Sequence, residues 1–134
     1  MHSKTETSMC SILIVEDDKL VRDNLNYLLS NEGYTVIQAK DGLQAFEFVS
    51  KSAPDLIISD IHMPNMSGFD LFKKLKNKTE TESIPVIFIT ADTRLEKLQE
   101  GTSLGEADYL TKPYDLEELL EAVYTKLLGR NIIK

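Results

Sequence analysis

Short, unbroken apolar blocks alternate along this chain with stretches in which apolar residues return every three or four positions. The blocks are Ser11 to Val15 (SILIV), Tyr34 to Gln38 (YTVIQ), the LII of Leu56 to Ile58 that runs on to Asp60, Ile84 to Thr90 (IPVIFIT) and Ala107 to Leu110. Rich in β-favouring residues, with few polar positions interleaved, they have the pattern of strands buried on both faces of a parallel sheet. The intervening stretches read as helices. Lys19 to Ser30 sets Val21, Leu25, Leu28 and Leu29 on one face and stops at Asn31 and Gly33. Asp41 with Gln44 opens a second helix with an inner face of Leu43, Phe46 and Val49. Ser67 with Asp70 opens a third, carrying Leu71, Phe72 and Leu75, and Lys73 to Lys78 ends it in positive charge, favourable at a helix C-terminus. Thr93 with Glu96 opens a fourth, in which Leu95 and Leu98 face in but Gly101 and Gly105 interrupt, so it is expected to be the most mobile. Asp115 with Glu118 caps the fifth, anchored by Leu116, Leu119, Leu120, Val123 and Leu127 and ending at Gly129.

Five strand-helix repeats predict an α/β fold: a five-stranded parallel sheet with helices on both faces and right-handed crossovers. The most economical strand order is 2-1-3-4-5. In that order strands one and three are neighbours at the switch point, where such sheets place their ligand chemistry. Strand one runs into Glu16, Asp17 and Asp18, and strand three ends on Asp60. Thr90 ends strand four, and Thr111, Lys112 and Pro113 follow strand five. Taken singly, Asp60 is a strand-end aspartate, Thr90 an ordinary strand terminus and Lys112 a solvated lysine. Convergence on one sheet edge changes that reading.

At 134 residues with 42% hydrophobic content, the chain suffices for one core. The expected domain is 10–129. Residues 1–9 are polar and aperiodic, expected as a disordered leader or expression remnant, and 130–134 as a tail or the start of a linker. Ile132 and Ile133 near the end suggest a piece of something longer, such as a regulator with an output domain or a hybrid kinase, with a stand-alone protein the next expectation. A formal charge of -7 argues against nucleic-acid or anionic-membrane partners. No apolar run approaches the ~20 residues of a membrane span and no signal peptide is evident, so a cytoplasmic location is expected. The single cysteine, Cys10, is expected as a small buried residue, and no zinc-type spacing occurs.

Three carboxylates in one crevice repel one another unless a cation or a proton neutralises them. Hard oxygen donors without histidine or cysteine point to Mg²⁺, for which Mn²⁺ could substitute, and magnesium commonly shares its shell with a phosphate. A phosphoryl group on Asp60 fits, with Thr90 and Lys112 stabilising its oxygens and the Asp60 carboxylate as nucleophile.

The segments ILIVEDD (Ile12 to Asp18), SDIHMPNMSG (Ser59 to Gly68), ITA (Ile89 to Ala91) and ADYLTKP (Ala107 to Pro113) occur in order and without a gap. On these, the stretch from Cys10 to Gly129 resembles the receiver domain of two-component response regulators, the flavodoxin-like family of the chemotaxis protein CheY. The resemblance implies that Asp60 accepts a phosphoryl group from a histidine kinase or histidine phosphotransfer protein, and that Glu16, Asp17, Asp60 and the backbone carbonyl of His62 hold Mg²⁺. It implies that Thr90 and Lys112 bind the phosphoryl oxygens, that the Lys112–Pro113 bond is cis, and that Thr90 and Tyr109 switch the face of the fourth helix, fifth strand and fifth helix. That face would address a downstream protein or a fused output domain, and a phosphorylation-dependent homodimer is a further expectation. Such a domain is not a turnover enzyme: it catalyses only its own phosphorylation and dephosphorylation. The side chains of His62 and Asp92 have no assigned role. A flavodoxin-type cofactor site would need a Gly, Ser or Thr phosphate cradle after strand one, where Glu16, Asp17 and Asp18 would repel a phosphate. The alternative is a Mg²⁺-dependent phosphatase with an Asp nucleophile, but the strand-one DxD pattern of the haloacid-dehalogenase type is absent. A degenerate receiver that only binds partners is disfavoured because every phosphotransfer residue is present.

Overall fold

Apolar residues that alternate along each strand are buried on opposite faces of one parallel sheet, and that division builds two cores. In the computed structural model, which describes residues 10–91 and 108–129, the strands are β1 (Ser11–Val15), β2 (Thr35–Ala39), β3 (Leu56–Asp60), β4 (Val86–Thr90) and β5 (Asp108–Thr111). Their order is β2-β1-β3-β4-β5, all neighbours parallel. The described helices are α1 (Lys19–Asn31), α2 (Gly42–Lys51), α3 (Gly68–Lys76) and α4 (Leu116–Gly129), the last being the fifth helix of the sequence pattern. The expected leader at 1–9, the expected fourth helix with Asp92 before it, and the tail at 130–134 lie outside the described residues. No helix among the described residues is long and apolar enough to cross a membrane.

On one face Ile12, Ile14, Ile58, Ile87 and Ile89 pack with Leu25 and Leu29 of α1 and Leu119, Val123 and Leu127 of α4, and Cys10 is buried there too. On the other, Leu13, Val15, Ile57 and Phe88 meet Ala45 and Val49 of α2 and Leu71, Phe72 and Leu75 of α3. Phe88 is the hub of an aromatic group, edge-on to Phe69 at 5.1 Å and tilted against Tyr109 at 5.5 Å between ring centroids.

The helix ends follow local chemistry. Asp18 and Asp41 cap α1 and α2 through side chains that accept from backbone amides. Ser67 and Asp70 form a reciprocal capping box at α3. Gly33, at φ 97°, ends α1, with Gly33 N donating to Ser30 O at 3.0 Å and Tyr34 N to Leu29 O at 3.3 Å, the two bonds of a Schellman turn. Two expected core positions are corrected. Leu43 and Leu116 are 53% and 44% exposed, because each stands in the first turn of a helix that begins beyond the carboxyl edge of the sheet; Gly42, Ala45 and Leu119 carry the burial instead. β2 also begins one residue later than the pattern suggested, β5 is described from Asp108 with the expected Ala107 outside the described residues, and β4 begins at Val86, with Ile84 buried ahead of it.

The loop from β3 to α3 is drawn tight under the end of β3. Asn65 takes a left-handed φ of 70°, and Gly68 N donates to Ile61 O at 2.8 Å. This pulls Gly68 so close that a Cβ there would strike the Asp60 carbonyl oxygen and lie 3.1 Å from both Ile61 Cα and Phe88 Cε1. The first two neighbours are backbone and cannot swing aside. Gly68→Ala is therefore expected to lower stability by about 1–3 kcal/mol, the range for overpacking a filled interior. A urea unfolding midpoint equal to that of the parent chain would count against this contact.

Candidate functional site

β1 and β3 run side by side with Val15 opposite Ser59, so the residues that follow each, Glu16 and Asp60, emerge together at the carboxyl edge. Glu16 continues the line of its strand, its amide donating to Ala39 O at 3.1 Å, and the residue is only 3% exposed. Asp17 is exposed and Asp60 half-buried. One carboxylate oxygen from each of Glu16, Asp17 and Asp60 lies within 4.8 Å of the others. Asp18 turns elsewhere. Its Oδ1 accepts from Leu20 N at 2.9 Å and Val21 N at 3.4 Å, so the third acid of the run is spent on the start of α1.

Asp60 is held on both its backbone and its carboxylate. Ser59 Oγ donates to the Asp60 carbonyl at 2.8 Å, and Ile61 N donates to Asp60 Oδ1 at 2.7 Å. Lys112 enters from beyond β5 through a cis bond to Pro113, its Nζ 3.4 Å from Glu16 Oε1. Its amide donates to Thr90 O at 2.9 Å, so the ends of β4 and β5 are tied together beside the acids, and Thr90 is only 2% exposed. Burial above all pushes the Glu16 carboxyl above its usual range; the charge of Asp60 and a hydrogen bond with Asp17 add to the rise, while the Asp18 amide and Lys112 oppose it. Burial and the Glu16 charge likewise raise the Tyr114 phenol.

Three carboxyl groups crowd this edge, and the Lys112 ammonium beside Glu16 offsets only part of their negative charge. Among the described residues, all donors in the cluster are hard oxygens, with no nitrogen or sulfur ligand. The set fits a divalent hard cation such as Mg²⁺, and Glu16, Asp17 and Asp60 are the side chains that could hold it.

The sequence-derived residues fall into two groups. Glu16, Asp17, Asp60, Thr90 and Lys112 meet at one edge. Tyr109 stands apart, half-buried beside Phe88, with which it is aligned in the β4–β5 register. The His62 side chain is exposed. Sequence reasoning missed that Asp18 is a cap, although an Asp directly ahead of a predicted helix is the signal for one. It also missed Ser59 and Arg22, whose bonds go to backbone carbonyls of the cluster.

Comparison with known proteins agrees with this geometry. Residues 12–124 match the family model described as "Response regulator receiver domain". Sporulation initiation phosphotransferase F of Bacillus subtilis is 40% identical over 112 residues, 84% of this chain and 89% of that protein. Response regulator MprA of Mycobacterium ulcerans is 38% identical over 109 residues, 81% of this chain but only 46% of its own length, so the chain spans about half of that relative. The structure of the chemotaxis protein CheY4 of Vibrio cholerae superposes with a TM-score of 0.80 at 34% identity, covering 87% of this chain and 98% of that one. Sheet order, site and kinship converge: the chain belongs to the response regulator receiver domain family of two-component signalling, with a CheY-like, flavodoxin-like fold.

Proposed function

We propose that this receiver domain takes a phosphoryl group onto Asp60 from a phosphohistidine of a histidine kinase or histidine phosphotransfer protein, in a Mg²⁺-dependent reaction. The observation that carries the reading is the cluster of Glu16, Asp17 and Asp60 with Lys112 reaching into it. Oδ1 of Asp60 already accepts from Ile61 N, which leaves Oδ2 as the attacking atom. Oδ2 forms the new O–P bond as the N–P bond breaks, and the electron pair returns to the imidazole, which regains its proton from solvent. Glu16, Asp17, Asp60 and the His62 carbonyl would hold Mg²⁺ (or Mn²⁺), which when bound offsets charge on the phosphoryl oxygens. The Lys112 ammonium and Thr90 hydroxyl stabilise the remaining oxygens.

The same reading makes the domain a phosphoacceptor and not a turnover enzyme, working in the cytoplasm. Thr90 and Tyr109 relay the change to the face of the expected fourth helix, β5 and α4 (the fifth helix of the sequence pattern), which would control a downstream protein or fused output domain, or a phosphorylation-dependent homodimer. Nucleic acid and membrane are not direct partners of a domain this acidic.

Incubation with acetyl phosphate and Mg²⁺ is expected to raise the intact mass by one phosphoryl group, and Asp60→Asn to abolish the gain. An undiminished gain in that variant would move the acceptor elsewhere. Phosphotransfer from a phosphorylated histidine kinase is the more direct trial, since a phosphatase of free esters would instead release inorganic phosphate with turnover. Asp17→Asn should weaken Mg²⁺ binding by at least about tenfold, the lower end of what even an outer hydrogen-bond partner costs a metal site. Isothermal titration at constant pH reads it, and parent-like affinity would remove Asp17 from the ligand set.

A further inference from the structure

Arg22, the fourth residue of α1, is half-buried and reaches back past the helix start, its Nη1 donating to the carbonyl oxygen of Glu16 at 2.7 Å. That carbonyl is part of the planar peptide unit joining Glu16 to Asp17. Holding its oxygen sets the tilt of the whole unit, and with it the direction in which the Asp17 side chain leaves the backbone. Glu16 has other anchors: its amide on Ala39 O, and its carboxylate oxygens on Asp18 N and Lys112 Nζ. Asp17, exposed between this residue and the capping Asp18, takes its orientation from the backbone on either side. On the side of Glu16, the charge-assisted bond from Arg22 holds the carbonyl of that peptide unit.

We infer that Arg22 is a positioning residue for the cation site: its guanidinium clamps the Glu16–Asp17 peptide so that the two carboxylates point into one coordination sphere. The inference rests on the reading of Glu16 and Asp17 as cation ligands. Two effects of Arg22 on a bound cation have opposite sign. Its positive charge repels a cation, and because Arg22 is half-buried salt screens that repulsion only in part. Its hydrogen bond organises the ligands, and a loss of 10–100-fold is the order typical of removing such an outer partner. The clamp requires organisation to outweigh repulsion, and the sign of the change in affinity reads which does.

The test is Mn²⁺ binding to the unphosphorylated full chain, read from the free-ion electron paramagnetic resonance signal, with thermal unfolding in parallel. Arg22→Met, which keeps a long stem without donor or charge, should bind Mn²⁺ about tenfold more weakly. Arg22→Ala should do the same and recover affinity when methylguanidinium is added, a rescue that a merely structural loss would not show. Arg22→Gln, a neutral donor, separates the two effects: it falls between parent and Met if the hydrogen bond matters. Unchanged affinity in Arg22→Met, or tighter binding that fades at high salt, would overturn the inference, the second outcome meaning that Arg22 acts by charge alone. If Arg22→Met loses its cooperative melt, Arg22→Ala with and without methylguanidinium decides, and failure of rescue counts against the clamp. A parent chain that binds no Mn²⁺ faults the ligand reading itself, and the clamp falls with it.

Discussion

The register of β1 against β3 is the constraint on which the rest of this molecule depends. With Val15 opposite Ser59, the acids at the ends of two central strands are brought out side by side. In a parallel pair a slip of one residue would turn every side chain to the other face of the sheet. Here that would carry Leu13 and Ile57 away from the α2–α3 core, and Ile12 and Ile58 away from the α1–α4 core. Packing on both faces thus penalises any slip. The price of a precise acidic site is met by hydrophobic burial far from the acids.

That precision creates an electrostatic problem which the surrounding residues only partly relieve. Burial and the two neighbouring carboxylates all push Glu16 toward its protonated form, and the Asp18 amide and Lys112 pull against them. Lys112, itself partly exposed, sits at 3.4 Å, too long for a strong charge-assisted bond. The site is therefore preorganised in backbone and frustrated in charge. Preorganisation without neutrality is what a site needs if it is to respond to a cation and an anion that come and go, since a fully paired cluster would gain little from either.

The strand and helix sequence was legible because a strand buried on both faces carries few polar positions, while the helices between keep a three-to-four repeat and a capping residue. The meeting of Glu16, Asp17 and Asp60 followed from the strand order alone. What escaped has a common cause. Leu43 and Leu116 fit the helical repeat, but periodicity says which side of a helix a residue occupies and not whether the sheet still lies beneath it; first-turn residues overhang the edge. Arg22 and Ser59 act on backbone carbonyls, and a bond to a carbonyl that every residue possesses leaves no pairing pattern to read. Asp18, read as a third acid, belongs to the helix by geometry.

The approach of Gly68 to Asp60 links the site to the aromatic core. The same Cβ position that would strike the Asp60 carbonyl lies 3.1 Å from Phe88 Cε1, and the Phe88 ring lies tilted against Tyr109 at 5.5 Å between centroids. Thr90 lies two residues beyond Phe88 on the same strand, so Tyr109 is reached from Asp60 by a contact through the loop as well as by the end of β4. Packed interiors deform in discrete steps more readily than continuously, because they have no slack to absorb a shift of a few tenths of an ångström. A glycine pressed on the Asp60 carbonyl removes slack at the point where charge would change if Asp60 takes up a phosphoryl group. On the proposed reading, the tight β3–α3 loop is then more than a helix start: it makes the aromatic core sensitive to the backbone position of Asp60.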